Sequence, residues 1–245
     1  MLITSVNNDT VKELAKLKDK KYRDINDLFF VEGKDLCDIA YENGLLREIY
    51  ILDGYDNIYD GIPVTYVSTS VMKKISDMAS ISEYFGICSK KVENNIGNRL
   101  LILDDIQDPG NLGTIIRSAV AFNFDTLVLS TGTVDLYNPK VVRSTKGMIF
   151  NINIITRDLD TYLDELEDYT IYGTDVKDGI NIKEENIPSK FAIVIGNEGR
   201  GISDEVRKHC KKFVYISMND KCESLNAGVS DSIIMYELMN KWNMF

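Results

Sequence analysis

The sequence predicts an α/β protein, with a parallel sheet in its C-terminal part and a smaller α/β unit before it. From Arg99 onward, short apolar strands alternate with helical segments, which is the pattern of a parallel sheet covered by helices. The first of these strands, RLLILDD, is apolar almost throughout, as expected for a strand buried on both faces. The segment KVENNIGN is polar and lacks periodicity. We therefore predict an N-terminal domain over 1–90, a linker over 91–98 and a C-terminal domain over 99–245.

The N-terminal part alternates helix and strand, and it is long enough to fold alone. Its predicted elements are the basic helix VKELAKLKDKKYR, the strand LFFVEG, the helix KDLCDIAYENG, the strands REIYILD and PVTYVS, the helix SVMKKISDM and the strand YFGICS. Asn7 and Asn8 are candidate caps of the first helix, and Gly44 is a candidate terminator of the second.

The C-terminal part continues the alternation after RLLILDD. Its predicted elements are helix 111–122, the strand TLVLS, helix 138–147, the strand INIIT, the acidic helix DLDTYLDELED and the strands IYGTDV, FAIVIG and FVYISM. A last helix is predicted from about Leu225 to Trp242, with Val229, Ile233 and Tyr236 on a buried face because they fall at i, i+4 and i+7. Ligands of such sheets usually bind outside the carboxyl ends of the strands, so the loops there are the candidate site.

Charge narrows the possible partners. The net charge of −10 argues against broad, nonspecific binding of nucleic acid, because affinity for phosphates depends on lysine and arginine. The segment 12–23 is nevertheless locally basic. Its basic residues are Lys12, Lys16, Lys18, Lys20, Lys21 and Arg23. They are candidates for gripping a structured RNA, although a solvated helix face explains them equally well.

Cysteine and histidine usage gives no sign of a metal site. The 4 cysteines lie far apart without a C-x-x-C pair, and His209 is the single histidine, so we expect no metal. No stretch approaches the length of a membrane span, and the N-terminus lacks the pattern of a signal peptide. We therefore expect a cytoplasmic protein.

The first of three polar, glycine-containing segments is DDIQDPGNLGTIIRSA (104–119). Pro109 and Gly110 shape a turn, Asn111 stands where a helix would begin, and Arg117 lies further along that helix. An ordinary capped helix with a surface arginine would also explain this segment.

The second segment is IGNEGRGIS (195–203), which has more glycine than a simple turn needs. Its glycines enclose Asn197, Glu198 and Arg200. A dinucleotide-binding loop is the competing interpretation, but the spacing G-x-x-G-x-G differs from G-x-G-x-x-G, and the preceding strand comes late in the chain.

The third segment is ISMNDKCESLNAGVSDS (216–232). Ser224 and Asn226 flank Leu225 at the predicted start of the last helix, where side chains can cap and free N–H groups face outward. A plain helix cap explains Ser224 as well as catalysis does.

Together these three segments resemble the signature motifs of the SpoU (TrmH) branch of the SPOUT RNA methyltransferases. The stretch TGTVDLYNPKVVRSTKGMIF (131–150) resembles the family's intervening region, so the likeness covers 100–245. The N-terminal unit is similar to the substrate-binding domain often attached in this family. The resemblance implies an S-adenosylmethionine-dependent RNA 2′-O-ribose methyltransferase. It also implies a C-terminal trefoil knot and a homodimer formed through the catalytic domain.

The resemblance also assigns roles to individual residues. The implied cofactor-binding residues are Gly173, Thr174, Gly196, Ile216 and Leu225. The implied catalytic residues are Arg117, Asn111, Glu198, Ser224 and Asn226. The predicted RNA-binding residues are Lys12, Lys16, Lys20, Lys21, Arg23 and Arg117. Because arginine stays protonated at relevant pH, we favour an Arg117 that binds an RNA phosphate near the 2′-oxygen over one that acts as a general base.

Alternative functions stay open at this point. Ribosomal RNA is favoured over transfer RNA because of the appended N-terminal domain. A nicotinamide-dependent dehydrogenase is a rival, against which the missing G-x-G-x-x-G speaks. A catalytically silent RNA-binding protein on the same scaffold is another, but it would have no need to keep all five polar residues of the motifs.

Overall fold

The structure is a computed structural model that describes residues 1–176, 178–219, 221 and 225–241. The chain divides into two compact units, Met1–Val92 with Asp135–Phe150, and Glu93–Val134 with Asn151–Phe245. Residues 135–150 thus group with the N-terminal unit, whereas the domain boundaries expected from the sequence stay a prediction.

Strands and helices alternate through both units. The strands are β1 (Leu2–Ile3), β2 (Leu28–Glu32), β3 (Leu46–Leu52), β4 (Val64–Val67), β5 (Tyr84–Ser89), β6 (Arg99–Leu103), β7 (Thr126–Ser130), β8 (Asn153–Arg157), β9 (Thr170–Thr174), β10 (Ile180–Asn181), β11 (Phe191–Ile195) and β12 (Lys212–Tyr215). The α-helices are α1 (Asp9–Lys16), α2 (Lys20–Asn26), α3 (Lys34–Glu42), α4 (Thr69–Ile75), α5 (Pro109–Ala121), α6 (Pro139–Ser144), α7 (Leu159–Tyr162), α8 (Asp204–Arg207) and α9 (Ala227–Lys241). Met148–Phe150 and Leu163–Glu165 form short 3-10 helices. Among the helices of the described residues, none is long and apolar enough to cross a membrane.

The N-terminal unit contains a mixed sheet with the strand order β1-β4-β3-β5-β2. Strand β3 runs parallel to β4 and antiparallel to β5. Helix α1 buries Val11 and Leu14 in a core shared with Phe30 and Phe85. The single basic helix predicted over VKELAKLKDKKYR is wrong, because it divides into α1 and α2. The Asp19 side chain accepts a hydrogen bond from the backbone N–H of Lys21 and so begins a second helix.

The segment 135–150 packs within the same unit through ion pairs and aromatic contacts. Asp135 pairs with the buried Arg23 at 2.5 Å. Arg143 pairs with the buried Glu32 at 3.3 Å. The ring centroids of Tyr137 and Phe29 lie 4.6 Å apart. These contacts explain why this segment groups with the N-terminal residues rather than with its chain neighbours.

The C-terminal unit confirms the predicted parallel sheet. Over the described residues the sheet has 7 strands in the order β10-β12-β9-β11-β6-β7-β8, and every pairing between them is parallel. Strands β6 and β11 lie at its centre, and Leu100, Ile102, Ala192 and Val194 on them are fully buried. The α/β class expected from the sequence is therefore confirmed. The trefoil knot that the resemblance implies stays a prediction.

Helix α9 buries a different face from the predicted one. Val229, Ile233 and Tyr236 are 48%, 37% and 48% exposed, so the burial predicted for them is wrong. The residues that are buried instead are Gly228, Asp231, Ile234, Met235, Leu238 and Met239. Apolar residues at helical spacing occupy both sides of α9, so periodicity alone could not choose the face that packs against the unit.

Helix α9 is fixed against α5 by close contacts. The hydroxyls of Ser118 and Ser232 lie 2.7 Å apart. The rings of Phe122 and Tyr236 meet edge to face, with centroids 5.7 Å apart. A Cβ at Gly228 would lie 3.2 Å from the Thr114 side chain, so the helices approach most closely there. This packing sets the position of the residues at the start of α9.

Candidate functional site

Loops at the carboxyl ends of β9, β11 and β12 enclose a cavity of about 550 Å³ in the C-terminal unit. The start of α9 completes its wall, and Asn111 reaches it from α5. A cavity of this volume lies in the range that holds cofactor-sized ligands. All three polar segments of the sequence thus contribute residues to one site.

Four of the five predicted cofactor residues line this cavity. They are Thr174, Gly196, Ile216 and Leu225. Gly173 instead lies buried inside β9 and is not among the described lining residues. A Cβ at position 173 would lie 2.5 Å from Cε1 of Phe213, which explains a glycine there by packing.

Three polar side chains from the three segments form a hydrogen-bonded chain at the cavity wall. The Asn226 side-chain amide donates to Asn111 Oδ1 at 3.0 Å. The Asn111 amide donates in turn to Glu198 Oε1 at 3.0 Å. Partial burial opposes ionisation of Glu198, but the hydrogen bond from Asn111 and backbone hydrogen bonds outweigh it and lower the pKa of its carboxyl group. Glu198 is therefore an ionised acceptor at neutral pH.

Asn197 holds the glycine-rich loop after β11 in shape. Its side-chain amide donates to the Asp105 carbonyl at 2.8 Å. Its Oδ1 accepts from the backbone N–H groups of Gly199 and Arg200 at 2.9 and 3.1 Å. A Cβ at Gly196 would lie 2.2 Å from backbone atoms of the returning chain, so this close approach needs glycine. Asn197 thus shapes the glycine-rich loop at the point where that loop lines the cavity.

Asp231 is a site residue that the sequence analysis missed. It lies on the buried face of α9, is 2% exposed and lines the cavity. Ser230 donates to its Oδ1 at 3.4 Å, whereas Oδ2 has no hydrogen-bond partner among the described residues. Burial raises the pKa of the Asp231 carboxyl well above its usual range, and the charge of Glu198 adds to this. The signal in the sequence was an acid inside a largely apolar helix.

An unsatisfied buried polar atom costs about 1–3 kcal/mol, and such atoms call for an explanation. Asp231 is a lining residue of the cavity, but its Oδ2 is itself enclosed and has no hydrogen-bond partner among the described residues.

Arg207 is a second cavity residue that the sequence analysis missed. Its guanidinium pairs with Asp175 at 2.5 Å and with Asp178 at 2.7 Å. These ion pairs tie α8 to the loop that follows β9. No pattern in the sequence indicated this arrangement, because the partners lie far apart along the chain.

The structure does not bring two of the predicted catalytic residues, Arg117 and Ser224, into the described cavity wall, for different reasons. Arg117 lies exposed on α5 and is not among the described residues that line it. Ser224 lies outside the described residues, so its role stays a prediction.

The predicted RNA-binding residues have different surroundings. Lys20 and Lys21 are exposed at the start of α2. Lys12 and Lys16 pair with acidic residues of their own helix, at 2.8 and 2.6 Å. Arg23 is 3% exposed and donates to the carbonyls of Leu17 and Lys18 besides its pair with Asp135. The burial and the partners of Arg23 therefore indicate a structural role rather than the RNA-binding role predicted for it.

The cavity's chemistry is that of an organic ligand site. Within the described ranges, no group of three or more histidine, cysteine, aspartate or glutamate side chains is placed to hold a metal ion. The wall offers backbone groups from three loops, an ionised carboxylate and a buried carboxyl group. Such a site can position a ligand and a reacting hydroxyl group side by side.

Two family models match the chain. Residues 98–236 match the model described as the SpoU rRNA methylase family. Residues 8–82 match the MRM3-like substrate binding domain. The chain is also 32% identical, over 243 residues, to the 23S rRNA (guanosine(2553)-2′-O)-methyltransferase RlmP of Bacillus subtilis. That alignment covers 96% of this chain and 98% of the relative. These matches confirm the resemblance seen in the three motifs.

Solved structures share the fold over its full length. A crystal structure described as an RNA 2′-O ribose methyltransferase is 26% identical, with a TM-score of 0.84 and coverage of 99% of both chains. An AdoMet-bound rRNA methyltransferase from Sinorhizobium meliloti is 23% identical, with a TM-score of 0.87 and coverage of 100% of this chain and 99% of that one. The second likeness is one of fold.

A substitution at Gly196 tests the glycine-rich loop. Gly196→Ala is expected to weaken S-adenosylmethionine binding by at least about tenfold, because the added Cβ forces the loop apart. Gly199→Ala is the matched control, since its Cβ would meet only Asn197 Oδ1 at an ordinary 3.7 Å. Titration calorimetry of both variants makes the comparison. Equal affinities in the two variants would contradict the role of this loop.

Proposed function

Because the chain belongs to the SpoU rRNA methylase family and is an S-adenosylmethionine-dependent RNA 2′-O-methyltransferase, we propose that its substrate is ribosomal RNA. The observation that supports methyl transfer at this site is the convergence of three loops on one cavity, with the chain Asn226–Asn111–Glu198 at its wall. The relative's name specifies 23S rRNA, and the N-terminal match is to a substrate binding domain. Both support ribosomal over transfer RNA, and the expected cytoplasmic location belongs to the same proposal.

The cavity fits S-adenosylmethionine on its own features. Its volume suits a nucleoside-sized molecule, and its three loops offer backbone groups to a ligand. The residues proposed to hold the cofactor are Thr174, Gly196, Ile216 and Leu225. When bound, the cofactor supplies a methyl group activated by the positive charge of its sulfur.

The polar chain at the cavity wall is proposed to orient the ribose. A 2′-hydroxyl group is a weak nucleophile until its proton is attracted away. Asn111 and Asn226 keep fixed amide orientations because each is held by the hydrogen-bonded chain that ends at Glu198. Arg117, exposed and permanently charged, is proposed to bind an RNA phosphate near the 2′-oxygen.

We also propose that the protein is a homodimer through the C-terminal unit. Val229, Ile233 and Tyr236 form an exposed apolar stripe on α9, the helix whose opposite side lines the cavity. Exposed apolar stripes of this kind are typical of contact surfaces. Arg117 lies on the neighbouring helix α5 and outside its own cavity. We propose that, in the dimer, Arg117 of one protomer contributes to the active site of its partner.

Mapping of 2′-O-methylation tests the substrate. Cells that lack the protein are expected to lose a ribosomal RNA methylation, which the wild-type protein restores and Glu198→Ala does not. The variant should fail because it removes the acceptor that fixes Asn111. The exposed Glu184→Ala is the control and should restore the modification. Loss of 2′-O-methylation in transfer RNA alone would refute ribosomal RNA as the substrate. Unchanged 2′-O-methylation in every RNA would favour a catalytically silent RNA-binding protein.

Mixed dimers test the position of Arg117. Pure Arg117→Ala and pure Glu198→Ala are each expected to be inactive. An equal mixture of refolded chains should recover about a quarter of wild-type activity, because half of the dimers contain one complete site. Size-exclusion chromatography checks that dimers form. A mixture as inactive as its components would place Arg117 in the site of its own chain.

Salt-dependent RNA binding tests the basic residues of α2. Replacement of both Lys20 and Lys21 by alanine should weaken RNA binding. The slope of log K against log salt concentration should also become less steep, by about 0.7–0.9 for each lost phosphate contact. The control replaces Lys34 and Lys190, which pair with acidic residues at the surface. An identical salt dependence in both double variants would show that α2 is only a solvated helix.

A further inference from the structure

We propose that Arg200, in the loop that follows β11, binds a backbone phosphate of the RNA beside the target ribose. The inference rests on the proposed function, because it takes RNA as the substrate. It adds a residue of the glycine-rich loop to the RNA contacts, whereas the RNA-binding residues predicted from the sequence lie in the N-terminal part and at Arg117.

The backbone of Arg200 is held in a closed loop. Asn197 and Gly201 exchange two backbone hydrogen bonds, of 3.0 and 2.9 Å, which close the segment 197–201. Inside this loop, Asn197 Oδ1 accepts from the backbone N–H of Arg200 at 3.1 Å. Gly201 has a φ of 71°, a left-handed conformation that suits glycine and completes the turn. These contacts fix the point from which the Arg200 side chain extends.

The Arg200 side chain is oriented by one carboxylate. Its Nη2 donates to Asp105 Oδ2. Asp105 is itself held in place, because its N–H donates to Ser130 Oγ at 2.9 Å and its carbonyl accepts from Asn197 at 2.8 Å. An arginine that is already oriented loses less side-chain entropy when it binds an anion. Asp105 therefore preorganises the guanidinium.

Much of the hydrogen-bonding capacity of Arg200 is left for a ligand. A guanidinium presents several N–H donors in a planar fork, and those on Nε and Nη1 have no partner among the described residues. The side chain is 76% exposed. Arg207, the other cation of the described cavity wall, is 33% exposed and pairs with two carboxylates. Of the two, Arg200 is the cation that can bind a further anion.

The location of Arg200 connects it to the residues proposed to orient the ribose. A second cavity of about 360 Å³ lies in the same unit, and Arg200 lines both cavities. Asp105 accepts from the Gln107 side chain at 2.6 Å, and the Gln107 backbone N–H makes a long hydrogen bond of 3.5 Å to Glu198 Oε2. Glu198 accepts in turn from Asn111. Arg200 thus lies at a border of the cofactor cavity, beside the polar chain.

The chemistry of RNA makes a phosphate the partner of Arg200. The 2′-hydroxyl group is on the carbon next to the one that bears the 3′-phosphate, so a ribose at the polar chain brings backbone phosphates to the same border. A forked guanidinium matches the geometry of a phosphate group. A nucleotide within RNA has a phosphate on each side of its ribose. Arg117 from the partner protomer and Arg200 can therefore bind different phosphates.

The charges of the second cavity restrict where a phosphate can lie. Its described lining contains the carboxyl groups of Asp104, Asp158, Asp160 and Glu205, and Arg200 is the one cationic side chain in that lining. Carboxylates repel the RNA backbone, and like-charge contacts exclude wrong positions of a partner. Arg200 is then the favourable contact at this edge, and contacts of this kind fix the register of a nucleic acid.

RNA binding and cofactor binding by the same variants test the inference. The RNA is a fragment that spans the ribosomal methylation site found by mapping. Arg200→Ala is expected to raise the Kd of this fragment about tenfold. The slope of log K against log salt concentration should become less steep by about 0.7–0.9, because one phosphate contact is lost. The Kd of S-adenosylmethionine, measured by titration calorimetry, should stay within about twofold of wild type, which also shows that the cavity is folded.

Two further variants separate charge from structure. Arg200→Lys keeps the charge but loses the fork, so it should restore the wild-type salt dependence and part of the affinity for the fragment. Arg157→Ala is the matched control and should change neither ligand. Arg157 is an arginine of the same unit that pairs with Glu93 at 2.7 Å, and it is not among the described residues that line either cavity.

The other outcomes each overturn the inference. Weaker binding of S-adenosylmethionine with unchanged RNA binding would assign Arg200 to the carboxylate of the cofactor. Parallel losses of both ligands, or an Arg200→Lys variant no better than Arg200→Ala, would show that Arg200 only maintains the loop. Unchanged binding of both ligands would show that it is a solvated side chain. A wild-type protein that neither binds nor methylates the fragment would overturn the proposed substrate and this inference together.

Discussion

The site depends on one constraint, which is that parallel strands end at the same edge of a sheet. Strand β11 lies between β9 and β6, and β12 lies on the other side of β9. Their following loops therefore meet, although they are far apart in sequence. The chain Asn226–Asn111–Glu198 then closes the gap between segments that begin after β6, β11 and β12. Without the parallel register, the three polar segments would have no common cavity.

Two carboxyl groups in this cavity are held in opposite states by their surroundings. Glu198 receives hydrogen bonds from Asn111 and from backbone N–H groups, which outweigh its partial burial and lower its pKa. Asp231 is buried with little compensation, and its pKa is raised. Paired groups whose environments separate their pKa values are typical of sites with divided roles. Here one carboxylate fixes the orienting amides, and the other carboxyl group is enclosed, with one oxygen unpaired among the described residues.

The sequence was most informative where a residue type has a single physical use. Apolar runs identified the buried strands, and glycine at position 196 marked a close backbone approach that the structure contains. Position 173 is also a glycine, but there the close neighbour is the Phe213 side chain. The presence of a glycine therefore could not distinguish a ligand-binding loop from a packing constraint. Arg23 showed a similar limit, because a basic residue in a basic segment proved to be buried by an ion pair with Asp135. Long-range partners of this kind leave no local pattern.

Helix α9 shows why the remaining features needed the structure. Its side with Asp231 and Ile234 borders the cavity, and its side with Val229, Ile233 and Tyr236 faces outward. When a helix is apolar on both sides, the spacing of its apolar residues does not indicate which side is buried. In a monomer the exposed apolar stripe stays in contact with water, which is unfavourable. A second copy of the chain that covers the stripe would remove this contact. A helix buried in this way would hold Asp231 more rigidly, because neither of its sides could move without breaking a contact. The same helix therefore links the proposed dimer to the precision of the cofactor cavity.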